Sequence, residues 1–371
     1  MYPESKHNIL SDIINGPIPP LRTYIARGTF GVVEKLTDPV NGQIYALKTI
    51  DLNPTTTLDE KYSQHYKSIM NEIEILFRLN QIAPGIFPIY YDHLEIPLPP
   101  RPPSPPSPPS PPIPTSPTLL PLPPSPTLPP LPPSPTLPPS PQFSKIDKIM
   151  ILMEFIEGSE LMDFIKHDFV SLTYQQRSEL IIVISLDLLK SLKILHDNGI
   201  VHRDLKLENI RINFDKANVR ITSFKLIDFG LSCFDPSVEL DDILLDEYKN
   251  TCWTRFCGSP HYVAPQTIDF HHKLTPGDTS YDFSRLKSAD IWSFGVMLYI
   301  MVHIKYPFLG INTHGIFKSI LDYKNLPFPK TYLESEFNQI MNEIFVKRDL
   351  RISIEKLIEK FDLLHQKYAT K

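Results

Sequence analysis

Residues 97–141 hold 25 of the chain's 40 prolines, and Arg101 is their only charged residue. Proline lacks a backbone N–H and fixes φ near −65°, so neither a helix nor a sheet ladder can run through such a stretch. The unit Leu-Pro-Pro-Ser-Pro-Thr-Leu-Pro-Pro stands in tandem at 122–130 and 131–139. A solvated polyproline II or disordered tract is expected there. The rest of the chain has to be read as two pieces, 1–96 and 142–371.

Together these pieces can bury a sizeable core. The 371 residues suggest two domains or one bilobal unit, with an ordinary globular balance of 42% hydrophobic and 21% charged residues. A formal charge of −5 gives no reason to expect binding to nucleic acid or an anionic membrane. Residues 1–15 lack a basic-then-apolar leader pattern, and the apolar stretches 149–155 and 181–189 are far short of a membrane span. Cys233, Cys252 and Cys257 are too few for a disulfide framework and fit a reducing cytoplasmic or nuclear compartment. A Cys252–Cys257 redox pair is the alternative they leave.

Residues 21–26 and 32–36 read as strands around a glycine loop, and Asn41-Gly42 marks a turn before a strand at 44–50. Over 61–80 the period becomes helical, with Ile69, Ile73, Leu76 and Phe77 on one face and Glu72 beside them. Strands at 86–96 and 149–155 follow. If they form a hairpin, the proline tract is a loop inserted into a small sheet. Beyond Gly158 helices dominate, at 161–166, 175–198, 291–302, 316–321, 334–346 and 354–368, with Gly199 ending the second. Short strand-like pieces lie at 200–202, 210–213 and 224–227. The pattern is α+β: a sheet-rich first part with one key helix, then a mainly helical part.

Four groups of residues carry chemistry, in a fixed order. Ile25-Ala26-Arg27-Gly28-Thr29-Phe30-Gly31-Val32-Val33 puts glycines in a strand–turn–strand, where backbone can close over phosphates. Two glycines three apart also occur in many plain hairpins. Lys48 lies in the apolar strand Tyr45-Ala46-Leu47-Lys48 and needs a carboxylate, for which Glu72 is the candidate, unless it snorkels from an edge strand. The loop His202-Arg203-Asp204-Leu205-Lys206-Leu207-Glu208-Asn209 offers an acceptor for a hydroxyl proton, a cation and a metal-binding oxygen. Asp228-Phe229-Gly230 places a carboxylate, a hard-cation ligand, after an apolar strand.

This order resembles the eukaryotic protein kinase family, in its serine/threonine branch, over residues 20–365 outside the proline tract. The resemblance implies a bilobal fold with an antiparallel-sheet N-lobe at 21–157, interrupted by 97–141, and a helical C-lobe at 158–366, after an extension at 1–20. It implies ATP and Mg²⁺. Asp204 would be the catalytic base and Lys206 would contact the γ-phosphate. Asn209 and Asp228 would hold Mg²⁺, and Lys48, paired with Glu72, the α- and β-phosphates. Residues 25–33 would cover the nucleotide, and Ala46 and Val33 would sandwich its adenine. Glu154 and Ile156 would meet the adenine at the hinge and Glu160 the ribose, while Asp290 would brace the catalytic loop. Lys206 and the loop 258–265, with Ser259 placed to hydrogen-bond Asp204 and Lys206, resemble the serine/threonine branch, and residues 205–209 and 256–260 are similar to its calcium/calmodulin-dependent and AMP-activated group.

Three positions depart from the family pattern. Ala26 replaces a loop glycine, which predicts at most weaker ATP binding. Gln266 replaces a glutamate whose expected partner is Arg351, which predicts a softer C-lobe. Arg255 stands where relatives carry an activating phosphothreonine, so either Thr251 or Thr254 serves or the acidic run Glu239, Asp241, Asp242, Asp246 and Glu247 orders the segment. The proline tract has two readings, a docking site for SH3 or WW domains with seven Ser-Pro steps, or a tolerated low-complexity loop. A scaffold that keeps the fold without catalysis is the alternative function, and the presence of Lys48, Glu72, Asp204, Asn209 and Asp228 argues against it.

Overall fold

The computed structural model describes residues 9–28, 31–52, 59–98, 146–273, 282–324 and 334–369. Thr29 and Phe30, and all of the proline tract beyond Leu98 with its SH3 or WW docking, lie outside these residues.

The N-terminal lobe comprises helix α1 (Ile9–Asn15), strands β1 (Leu21–Arg27), β2 (Val32–Thr37) and β3 (Ile44–Asp51), helix α2 (Asp59–Ile82), and strands β4 (Tyr90–Pro97) and β5 (Ile146–Glu154). The strands form one antiparallel sheet in the order β1-β2-β3-β5-β4. Its middle strands carry apolar residues on both faces, so each face takes a helix. Tyr45, Leu47 and Leu152 pack with Leu10 and Ile13 of α1, whereas Ile50, Ile149 and Ile151 pack with Ile69, Met70 and Ile73 of α2. The Leu10 N–H donates to Asp92 Oδ2 at 2.9 Å, which ties α1 to β4. β4 and β5 are antiparallel neighbours from Tyr90↔Met153 to Pro97↔Ile146. The chain between them therefore leaves from an edge strand, where Pro97 deprives no inner ladder of a donor.

The second lobe contains β6 (Ser159–Glu160), α3 (Leu161–His167), α4 (Tyr174–Asp197), β7 (Ile200–Val201), β8 (Ile210–Asp215), β9 (Arg220–Leu226), β10 (Cys233–Phe234), α5 (Ile243–Lys249), α6 (Pro265–Lys273), α7 (Phe283–His303), α8 (Thr313–Leu321), α9 (Glu334–Ile344) and α10 (Ile354–Ala369). A capping box of Thr173 and Gln176 starts α4, and Gly199, at φ +66°, turns the chain out of it. α7 buries most of its length, with Trp292 fully enclosed and stacked on Phe308. It starts at Phe283, well before the expected 291, because Asp282 caps it by accepting the Ser284 N–H at 3.1 Å. The short helices α1, α5 and α6 were not expected.

Cys233 and Cys252 are joined, with an S–S distance of 2.05 Å and Cα atoms 6.2 Å apart. This corrects the expectation of free thiols and the Cys252–Cys257 alternative. The chain returning from α5 brings Cys252 against β10, while Cys257 stays free. Among the described residues no helix is long and apolar enough to cross a membrane.

Candidate active site

A cleft of about 320 Å³ lies between the lobes. Ile25, Ala26, Arg27, Gly28 and Gly31 line it from above, Ala46 and Val33 from the sheet, and Glu154, Ile156 and Glu160 along the connection between the lobes. Val32 is not among the lining residues, since neighbours on a strand face opposite ways. Burial, and then the nearby Asp163, push the Glu160 carboxyl above its usual range.

Lys48 sits on β3, inside the sheet between β2 and β5, so the edge-strand alternative is excluded. Its Nζ lies 2.6 Å from Glu72 Oε1 and 3.3 Å from Asp228 Oδ1. Ile69 and Ile73 anchor α2 to the sheet and so aim Glu72 at β3. Burial opposes the charge on Lys48, but the carboxylates of Asp228 and Glu72 outweigh it and hold the ammonium above its ordinary range. For Asp228, burial is likewise overcome by Lys48 and by the Gly230 N–H, and its carboxyl is held low. Burial pushes Glu72 upward, yet contact at 2.6 Å with a firmly charged lysine favours the ionic pair.

The loop from β7 to β8 carries the second group. Arg203 has φ +68° and Asp228 φ +63°, both in the left-handed region that non-glycine residues adopt at a cost of about 1–3 kcal/mol each. Asp290 braces the first of them. Its carboxylate accepts the N–H groups of His202 at 3.0 Å and Arg203 at 2.9 Å and contacts His196 Nε2 at 2.9 Å. Asp204, thus held, meets Lys206 Nζ at 2.7 Å through Oδ2. Its Oδ1 accepts from both the N–H and the hydroxyl of Ser259 at 2.9 Å. The Asn209 side-chain amide donates to the Asp204 carbonyl at 2.9 Å. Gly258, at φ +104° with the Arg203 carbonyl 2.9 Å from where a Cβ would sit, lets the 258–265 loop come this close.

Around this centre stand residues to which the sequence assigned no role. Lys225, 8% exposed, donates to Glu154 Oε2 and to the Phe87 carbonyl, both at 3.1 Å. The Glu154 carboxylate is therefore engaged with structure, and its N–H donates to the Ile89 carbonyl at 2.7 Å. A lysine in the apolar strand β9 was the available signal, the same that marked Lys48. Phe229 packs under the cleft against Phe87 and His202. The Arg203 guanidinium donates to the carbonyls of Cys252 at 2.9 Å and Arg255 at 2.7 Å, and to Cys233 Sγ at 2.8 Å. Asn71 of α2 donates to the Ser232 carbonyl at 2.9 Å.

Residues 141–361 match the protein kinase domain family. The chain is 30% identical over 215 residues to a probable serine/threonine-protein kinase KIN1 homolog of Enterocytozoon bieneusi, covering 58% of this chain and 30% of that protein. It is 27% identical over 300 residues to human NUAK family SNF1-like kinase 1, covering 81% of this chain and 32% of the relative. With CDPK-related kinase 3 of Arabidopsis thaliana it shares 31% over 209 residues, 54% of this chain and 30% of the relative. The chain thus spans about a third of the length of each.

Proposed function

Since this chain belongs to the protein kinase family, we propose that it transfers the γ-phosphate of ATP to serine or threonine hydroxyls of proteins. The observation that carries the reading is the convergence of Asp204, Lys206 and Ser259 within hydrogen-bond reach, with Lys206 lining the same cleft as the Lys48–Glu72 pair and Asp228.

Asp204 accepts the proton of the substrate hydroxyl, and Lys206 offsets charge on the phosphoryl group in transit. Lys48, kept charged, binds the α- and β-phosphates, and Glu72 fixes where its ammonium stands. The residues fit Mg²⁺, a hard cation usually held by one or two carboxylates together with substrate phosphates. Asp228 keeps its carboxylate ionised, and Asn209 donates through its nitrogen, which leaves an amide oxygen as ligand. The metal, when bound, neutralises charge on the phosphates. Glu154 and Ile156 serve the adenine through backbone alone, since the Glu154 carboxylate is taken by Lys225. The hydroxyl preference rests on Lys206 and Ser259, and the relatives named as serine/threonine kinases favour it. The proline tract we read as a ligand for SH3 or WW domains, a reading that fails if deleting 98–141 leaves the set of bound proteins unchanged.

The test is transfer of label from γ-labelled ATP to a degenerate peptide set. Label should appear on serine or threonine and vanish with Asp204→Asn. Transfer that persists in that variant would remove the assignment.

A further inference from the structure

Between Asp228 and Gln266 the chain does more than form a substrate platform. It sends α5 against α2. Leu245 of α5, 1% exposed, belongs to the same apolar cluster as Ile69, Met70 and Ile73 of α2. These residues flank Glu72. Polar contacts surround the same junction: Lys67 Nζ to Glu247 Oε2 at 2.8 Å, the Arg78 guanidinium to the Glu239 carbonyl at 3.0 Å, and the Arg255 guanidinium to Gln64 Oε1 at 2.8 Å. Asp242 caps α5 by accepting the Leu244 N–H at 2.8 Å, and the Cys233–Cys252 bond closes the base of the excursion that contains it.

The groups that an activating phosphate would engage are already satisfied within the chain. Arg203 donates to two main-chain carbonyls. The Thr251 hydroxyl donates to the Tyr248 carbonyl and that of Thr254 to the Thr251 carbonyl. We infer that α5 is a built-in positioning element: through Leu245 it holds α2, and with it the Lys48–Glu72 pair, in the transfer-competent arrangement with no phosphate on the segment. This rests on the kinase reading, because only there does the Lys48–Glu72 pair set a rate. Leu245 touches no reacting atom and acts through Glu72.

Variants of the full chain test it, after phosphatase treatment and with mass spectrometry to verify that residues 239–255 carry no phosphate. Thr251→Ala/Thr254→Ala should keep transfer within twofold of the untreated chain. Leu245→Ala should lower kcat/KM for ATP tenfold or more and speed amide exchange across residues 63–78. In a Glu72→Gln background the same Leu245→Ala change should cost less than twofold. Should Leu245→Ala not fold, the exposed pair replaces it: Glu247→Lys alone should speed exchange in α2, and Lys67→Glu/Glu247→Lys should restore it. Equal losses from Leu245→Ala in both backgrounds, unchanged exchange, or activity lost on phosphatase treatment would each overturn the inference. A chain that shows no Asp204-dependent transfer instead removes the kinase reading, and the exchange measurements still decide whether α5 positions α2.

Discussion

Asp290 Oδ1 lies 2.9 Å from the main-chain nitrogen of Arg203, and this bond holds Arg203 at φ +68°. A left-handed arginine is costly. The carboxylate makes it tolerable because it also binds the His202 N–H and contacts His196. The residue that follows Arg203 is Asp204, so the backbone strain sets where the proposed base stands.

Asp290→Asn keeps the shape but leaves one acceptor oxygen for these partners and turns an NH₂ toward donors. We expect a loss of about 2–3 kcal/mol, as for a buried donor left unpaired. A shift of Asp204 by about 1 Å would lower kcat on the order of 10²-fold. Denaturant unfolding and peptide phosphorylation measure both. Wild-type kcat in the variant would show that Asp290 does not place the loop.

Arg351 lies mostly buried, over the Trp292 ring at 5.1 Å, and donates to Gln266 Oε1 at 3.4 Å, while the buried Gln266 Nε2 has no partner. Burial pulls its guanidinium down to about 10. Gln266→Glu supplies a charged acceptor and removes the orphan donor. It should add about 1 kcal/mol, seen as a melting temperature about 2–4 °C higher. A lower melting temperature would mean that the carboxylate pays more in desolvation than it gains from the arginine.

His202 is fully buried, and its Nδ1 accepts the Asp204 N–H at 3.3 Å, which requires the neutral ring. Burial lowers its pKa, and the same cause lowers those of His65 and His93. A histidine with a depressed folded pKa binds fewer protons in the native than in the unfolded state. Stability should therefore be intact above about pH 6.5 and fall as the pH drops below it, by at most about 1.4 kcal/mol per pH unit for each group. His202→Asn keeps an acceptor but does not titrate. Its unfolding midpoint should depend less steeply on pH between 7.5 and 5.5, and a slope equal to that of wild type would exclude His202 as a source.

The Cys233–Cys252 bond closes a loop of sequence separation 19. For a loop of this size the cross-link is worth about 3 kcal/mol. Alkylation of the unfolded, unreduced chain should label Cys257 alone, and reduction should expose three thiols and lower the melting temperature by several degrees. Three thiols labelled without reductant would show the bond absent in solution.

The bilobal plan and the motif residues were legible because they depend on short-range pattern. A glycine loop and the Asn41-Gly42 turn marked the strands from Leu21 to Asp51, and a helical period marked α2. Lys48 and Glu72, 24 residues apart, could be matched because a lysine in a buried strand requires a carboxylate on the element packed against it. Even the sheet neighbours β4 and β5 could be posed as a hairpin across the proline tract.

By itself the sequence determined which residues carry charge into the cleft and the order in which they come. Only the tertiary structure decided what holds them. Leu245 joins a cluster with residues of α2 about 170 positions earlier, Cys252 pairs with Cys233 and not with Cys257, and Lys225 secures Glu154 across the two lobes. The first two contacts depend on the path the chain takes after Asp228. That path is set by the summed packing of distant apolar faces, to which α5, with seven residues, contributes no periodic signal of its own.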